Sequence, residues 1–351
     1  MKKCYFLGAN SKNGFHSLYS QFPPEADSKL HIIKAGPGTG KSTFMRKIGH
    51  AAEQKGLDVE YILCSGDPDS LDGVYIPALV EAWVDGTAPH VTEPDLFGVN
   101  SDYINLGKFL KKPFSKAEAE KIRALNKDYK LLYKKAYSYL AAAAELRKAC
   151  VPELFNDTAL SGIRRRVSSI INRNLGHNCA DGGKIKHRYI SAVSCFGDYR
   201  LNCQIEKQYK LKYQLDSAYH ALNYALSFAA QEAVKRGADV VICPSPLEPD
   251  EIEAVLIPSN GIALLGSDWE FENAKSVHID NLADVKLLQS CRGEIREGKK
   301  LEKKTMELAY GKLRSAKALH DQLEEIYKSH MDFSALSKYT DSYIKKLFEL
   351  Q

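Results

Sequence analysis

Between residues 30 and 43 the chain reads L-H-I-I-K-A-G-P-G-T-G-K-S-T, and no other stretch constrains its fold as tightly. The apolar run Leu30 to Ile33 has the composition of a buried strand. The run after the glycines, F-M-R-K-I-G-H-A-A-E-Q, puts Phe44, Ile48 and Ala52 on one face of a helix. Strand, glycine-rich turn and helix form the context of a phosphate-binding P-loop. Small residues let backbone N–H groups curl around phosphate oxygens, and the helix N-terminus adds the positive end of its dipole. The expected seat comprises Ala35, Gly36, Pro37, Gly38, Thr39, Gly40, Lys41, Ser42 and Thr43. Lys41 would reach the β- and γ-phosphates of ATP, and the Ser42 hydroxyl would ligate Mg²⁺. The pattern G-x-x-x-x-G-K-[ST] is met except at its first glycine, where this chain has Ala35.

The 351 residues exceed what one hydrophobic core usually serves, so two units are expected. An internal repeat supplies them. Residues 56–77 and 237–258 align without a gap at an offset of 181 (237 minus 56). Gly56, Asp58, Val59, Pro68, Asp69, Val74, Ile76 and Pro77 are identical to their mates. A repeat of this length fixes architecture. The expected fold is α/β, a P-loop NTPase-type three-layer sandwich, duplicated, with long helical arms. The first half would span residues 1–186 with an arm at about 116–174. The second would span 187–351 with an arm at about 285–330, the linker lying near 175–187.

The offset separates chemistry from scaffold. Lys41 maps to Leu222 and Ser42 to Asn223, and residues 214–230 contain no glycine. The second half therefore lacks a phosphate loop, and one nucleotide per chain is expected. Asp85 ends the apolar run A-W-V-D, the shape of a Walker-B strand, and its mate is Gly266. A carboxylate that holds Mg²⁺ or its water is needed only beside a triphosphate, though an aspartate before glycine also caps turns. Asp67 maps to Glu248 and would lie just past strand Val59–Leu63, where open α/β sheets bind ligands and where it would set the attacking water. Asp69 and Asp72 map to Asp250 and Glu253; their spacing fits a capping box on a short helix, against a metal- or water-binding role. His90 maps to Phe271 and either touches the γ-phosphate or a substrate, or is an ordinary loop histidine.

Apolar residues from Ile122 to Cys150 and from Met306 to Tyr327 recur at spacings of three and four, which reads as two heptad seams. The arms would pair with each other, pair between chains as a homodimer, or each cover its own sheet. His320 on the second seam reads as a packed polar residue. Arg164, Arg165 and Arg166 would supply an arginine finger or a solvated helix face.

The net charge of +5 (49 basic minus 44 acidic residues) is too small to mark a nucleic-acid surface. No stretch reaches the roughly 18 apolar residues of a membrane helix. Eight cysteines without a C-x-x-C pair point to reduced thiols and a cytoplasmic protein.

The runs A-G-P-G-T-G-K-S-T, Y-I-L-C-S-G-D-P-D-S-L-D-G-V-Y-I-P, V-D-G-T-A-P-H and Y-I-N-L-G resemble an uncharacterised group of bacterial tandem P-loop ATPase-like proteins. The resemblance covers most of the first half and, more weakly, the second. It implies nucleotide binding at Gly36 to Thr43 and supplies no substrate. Here the second half is degenerate. Three activities follow as expectations: a slow Mg²⁺-dependent ATPase or nucleotide switch acting on a protein partner, a kinase for a small-molecule or nucleotide acceptor, or a sensor that holds ATP without turnover. Lys41, Asp85 and Asp67 are the catalytic candidates, and Ser42 and Asp85 the metal ligands.

Overall fold

The computed structural model describes residues 2–25, 27–149, 151, 153–176, 182–216 and 218–349. Cys150 and much of the expected linker lie outside them. The first half runs β1 (Lys2–Phe6), a hairpin of β2 (Gly8–Ser11) and β3 (Gly14–Ser17), β4 (Lys29–Lys34), α1 (Lys41–Gln54), β5 (Val59–Leu63), β6 (Leu71–Ile76), β7 (Glu81–Asp85), β8 (Ser101–Asn105), α2 (Lys116–Ala149) and α3 (Asp157–Asn174). The second runs β9 (Ile185–His187), a hairpin of β10 (Ser191–Ser194) and β11 (Gly197–Arg200), α4 (Asn202–Gln208), β12 (Leu211–Leu215), α5 (Leu222–Lys235), β13 (Val240–Pro244), β14 (Ile252–Ile257), β15 (Ile262–Gly266), β16 (Ala274–Val277), α6 (Val285–Lys328) and α7 (Phe333–Glu349).

The molecule is α/β with two mixed sheets. The first has the order β1-β5-β6-β7-β4-β8 and the second β9-β13-β14-β15-β12-β16. In each, the third strand runs antiparallel to both neighbours and the remaining pairs are parallel. The strands β5, β6 and β7 begin 181 residues before β13, β14 and β15 (59 to 240, 71 to 252, 81 to 262). α1 buries Phe44, Met45, Ile48, Gly49 and Ala52, and α5 buries Ala225, Leu226, Ala229, Ala230 and Ala233, the same positions shifted by 181 (44 to 225, 52 to 233).

Strand residues alternate between two cores, as a period of two demands. Ile32, Ile62 and Val84 join Val241, Leu256 and Leu265 of the other sheet in one cluster. Their neighbours Ile33, Tyr61 and Trp83 turn outward to α1 and α7. The inner faces of the two sheets thus share a core, stitched where Phe6 and Tyr189 exchange backbone hydrogen bonds of 2.9 and 3.0 Å.

The arms α2 and α6 pair with each other within the chain. Tyr129 lies against His320 and Arg147 bonds Glu302, so the two helices run antiparallel. Ala136, Leu140 and Ala144 of α2 pack with Ala309 and Leu313 of α6. Beyond the arms the chain crosses over: α3 packs on α5 of the second half, and α7 packs on α1 of the first. Tyr343 of α7 accepts a 2.9 Å hydrogen bond from the buried Trp83 indole. Among the described residues, no helix is long and apolar enough to cross a membrane.

One local expectation fails. The Asp69–Asp72 spacing does not cap a helix, because residues 71–76 form strand β6. Val74, Tyr75 and Ile76 favour extended backbone, and β5 and β7 pair with β6 on both sides, which outweighs a local capping pattern.

Candidate functional site

β4 delivers the chain to the glycine loop, and α1 starts at Lys41 with Gly40 as its N-cap. Gly38 (φ +66°) and Gly40 (φ +92°) are left-handed, which explains glycine at both. Ala35 does not have a positive φ, so a methyl group fits where the motif has glycine. Thr39 is buried, and its hydroxyl donates to the Gly36 carbonyl at 2.7 Å. Thr43 is exposed on the first turn of α1 and Pro37 is half-buried.

Lys41 is only 9 % exposed. Its ammonium donates to the carbonyls of Ala35 (3.0 Å) and Gly36 (2.8 Å) and lies 3.4 Å from Asp85 Oδ2. Asp85 reaches it because β7 runs parallel beside β4, with Asp85 in register with Ile33. The other Asp85 oxygen accepts from the Thr87 N–H (3.0 Å) and hydroxyl (2.6 Å). The Ser42 hydroxyl accepts from the Leu71 N–H at 3.0 Å. Its counterpart does the same: Asn223 Oδ1 accepts from the Ile252 N–H at 3.0 Å. This bond is therefore scaffold in both halves, while the Ser42 proton and remaining lone pair belong to the first half alone. A hydroxyl and a carboxylate are hard oxygen donors, the set that suits Mg²⁺ when waters and phosphates complete the shell.

The far arm packs on this loop. A Cβ on Gly36 would run into the Tyr327 ring, and one on Gly38 would lie 2.8 Å from the Glu324 carbonyl oxygen, both on α6. A Cβ on Gly40 would meet Leu336 of α7 at 2.9 Å. Asp67 is engaged by the same helix, with Lys317 Nζ 3.3 Å from its carboxylate. The counterpart Glu248 is held likewise by a lysine of the other arm, Lys148 at 3.2 Å, together with Lys12 at 3.0 Å. His320, on α6, sits 3.6 Å from Glu324. Burial pushes its pKa down, and the positive charges of Lys317 and Lys41 push the same way.

A second polar cluster adjoins Asp85. Asp72 and His90 are each 7 % exposed, with His90 Nε2 3.3 Å from Asp72 Oδ2. The buried Tyr19 hydroxyl donates to the same carboxylate at 3.1 Å. Burial alone would disfavour charged His90, but the Asp72 charge and contact, with Asp85 behind them, raise its pKa to about 9. Asp72 stays low in spite of burial because His90 and Tyr19 stabilise its anion. The second half shows what happens without the histidine. Glu253, the mate of Asp72, is raised to about 8 by burial although the Ser191 hydroxyl donates to it at 2.6 Å.

The other sequence candidates lie elsewhere. Asp69 is exposed, and its carbonyl accepts from Arg46 at 2.7 Å. The arginine cluster is on α3, where Arg164 bonds Ser161 and Arg166 bonds the His278 carbonyl at the edge of the second sheet. Sequence reasoning missed Tyr19, Lys317 and Glu324, and placed Tyr327 only at the end of a heptad seam. It also missed Tyr133 and Tyr137, which with Tyr129 form an i, i+4, i+8 stripe that was legible beside the heptad seam. No family model, curated protein or solved structure matches the chain.

Proposed function

We propose that the chain binds Mg²⁺-ATP at residues 35–43 and uses loop occupancy to reset the contact between α6 and the loop, with slow hydrolysis returning it. One observation carries this reading: a buried lysine on a left-handed glycine turn, its ammonium on two loop carbonyls and 3.4 Å from a carboxylate. Lys41 there holds the place of a phosphate partner, and a triphosphate offers it better acceptors than carbonyls do. Mg²⁺ would be held by Ser42 and, through water, Asp85, and would draw charge off the phosphates. Asp67, bound to Lys317, serves the arm; Asp85 is the carboxylate left to order water.

The switch reading rests on the seating of α6. Glu324 and Tyr327 touch the glycines that phosphates would order, and Lys317 ties the same helix to Asp67. Loop movement is therefore felt by the arm pair, which is the kind of two-position element a nucleotide biases. The matching sheet orders support internal duplication and kinship with the tandem P-loop group. The cytoplasm is the compartment that supplies both ATP and reducing conditions.

Hydrogen exchange tests the switch. With Mg²⁺-ATP, amide protection should change at residues 317–328 of α6 and stay constant in α3. An unchanged α6 at saturating nucleotide would remove the switch and leave a plain binding site.

A further inference from the structure

A cavity of about 690 Å³ opens beside Asp72, between the β2–β3 hairpin, the loops after β5 and β7, and α2. Its long wall is a stripe of three tyrosines on α2. Tyr129 and Tyr133 have ring centroids 4.9 Å apart, and Tyr133 and Tyr137 5.8 Å apart. Phe15 of the hairpin and His90 also line it, with ring centroids 6.4 Å apart. Lys130 and Lys134 stand exposed on the cavity's α2 side, without an ion pair among the described residues.

His90 Nδ1 is buried and has no hydrogen-bond partner. Nε2 lies 3.3 Å from Asp72, whose charge favours the protonated ring, so Nδ1 is a buried donor without a partner of good hydrogen-bond geometry. An orphaned buried donor is costly, and an anionic oxygen is its strongest partner. The larger cavity of the second half, about 770 Å³, has no such vacancy among the described residues. Its Arg200 bonds Asp198 (2.7 Å) and Asp268 (2.6 Å), its Arg147 bonds Glu302 (2.7 Å), and Ser191 donates to Glu253.

We infer that the first-half cavity is a second ligand site, for a planar aromatic molecule with an anionic group, the size of a nucleoside monophosphate. The ring stacks on the tyrosine stripe, and the anion accepts a hydrogen bond from His90 Nδ1–H within the field of Lys130 and Lys134. Stacking on tyrosine tolerates any base, so shape and charge, more than base edges, define the class. The binding claim does not depend on the P-loop holding a nucleotide. If it does, the two sites are linked through charge, because Asp85, 3.4 Å from Lys41, also helps raise the His90 pKa.

The test is calorimetric titration of the full chain with AMP, GMP, CMP and UMP, in wild type, Lys41→Ala, Tyr133→Leu and the exposed double variant Lys130→Ala/Lys134→Ala. At least one monophosphate should bind wild type, and bind Lys41→Ala equally well. Tyr133→Leu should weaken it about tenfold. The lysine variant, which removes only exposed charge, should weaken the monophosphate but not the parent nucleoside. The inference is overturned if none of the four binds wild type, or if Lys41→Ala abolishes binding, which puts the ligand on the glycine loop. It is overturned equally if the lysine variant binds the monophosphate as wild type does.

Discussion

Ser42→Asn should abolish magnesium-dependent nucleotide binding and leave the fold intact. The repeat supplies the reason. At the equivalent position Asn223 accepts a 3.0 Å hydrogen bond from the Ile252 N–H, as Ser42 does from the Leu71 N–H. An asparagine can therefore keep β6 tied to α1 without leaving a buried N–H unpaired. The substitution removes the hydroxyl that would sit on the metal. Affinity for ATP with Mg²⁺ should fall at least a hundredfold, about 2.7 kcal/mol. Affinity for ATP with EDTA should hardly move, and the melting temperature should stay near wild type. If Mg²⁺ strengthens ATP binding equally in both proteins, Ser42 is scaffold only.

Asp72→Asn should be the most destabilising conservative change in the first half. Removing one partner of a buried ion pair leaves the other uncompensated, at roughly 3–5 kcal/mol. The pH dependence identifies the cause. The His90 pKa is raised in the fold to about 9 from an unfolded value near 6.5. Its stabilisation is fully present below the unfolded value and is lost as pH rises through about 9. Asp72 is shifted downward, so its share is present above its unfolded pKa and lost as acid protonates it in the fold. The stability gap between wild type and Asp72→Asn should thus be widest near pH 6 and narrow by pH 10. Urea unfolding at pH 6, 8 and 10 measures it, and a gap that does not change with pH would assign the loss to packing instead.

The loop and its neighbouring strands were legible because they are local. The run at 30–43 encodes strand, turn and helix in one window, and β5 and β7 lie where apolar runs put them. Asp85 was singled out because it ends an apolar strand and has a glycine, Gly266, as its mate in the second half. β6 was misread because two acids three residues apart look like a cap until pairing on both sides is known. The arms were legible as seams, but not the crossover that sends α3 and α7 to opposite halves, since seam periodicity carries no partner identity. The contact of Glu324 and Tyr327 with Gly38 and Gly36 joins residues nearly a whole chain apart, and no local pattern encodes it. Asp72 and His90 were named separately; their direct pairing, with Tyr19 on the same carboxylate, required the fold.

We propose above all that residues 35–43 hold a nucleotide. Titrating the purified chain with Mg²⁺-ATP by calorimetry, beside Lys41→Ala and with phosphate release followed in the same samples, tests it most directly. Wild type should show a single site per chain, lost or much weakened in Lys41→Ala, with slow phosphate release only in wild type. Equal binding by both proteins, or binding by neither, would contradict it.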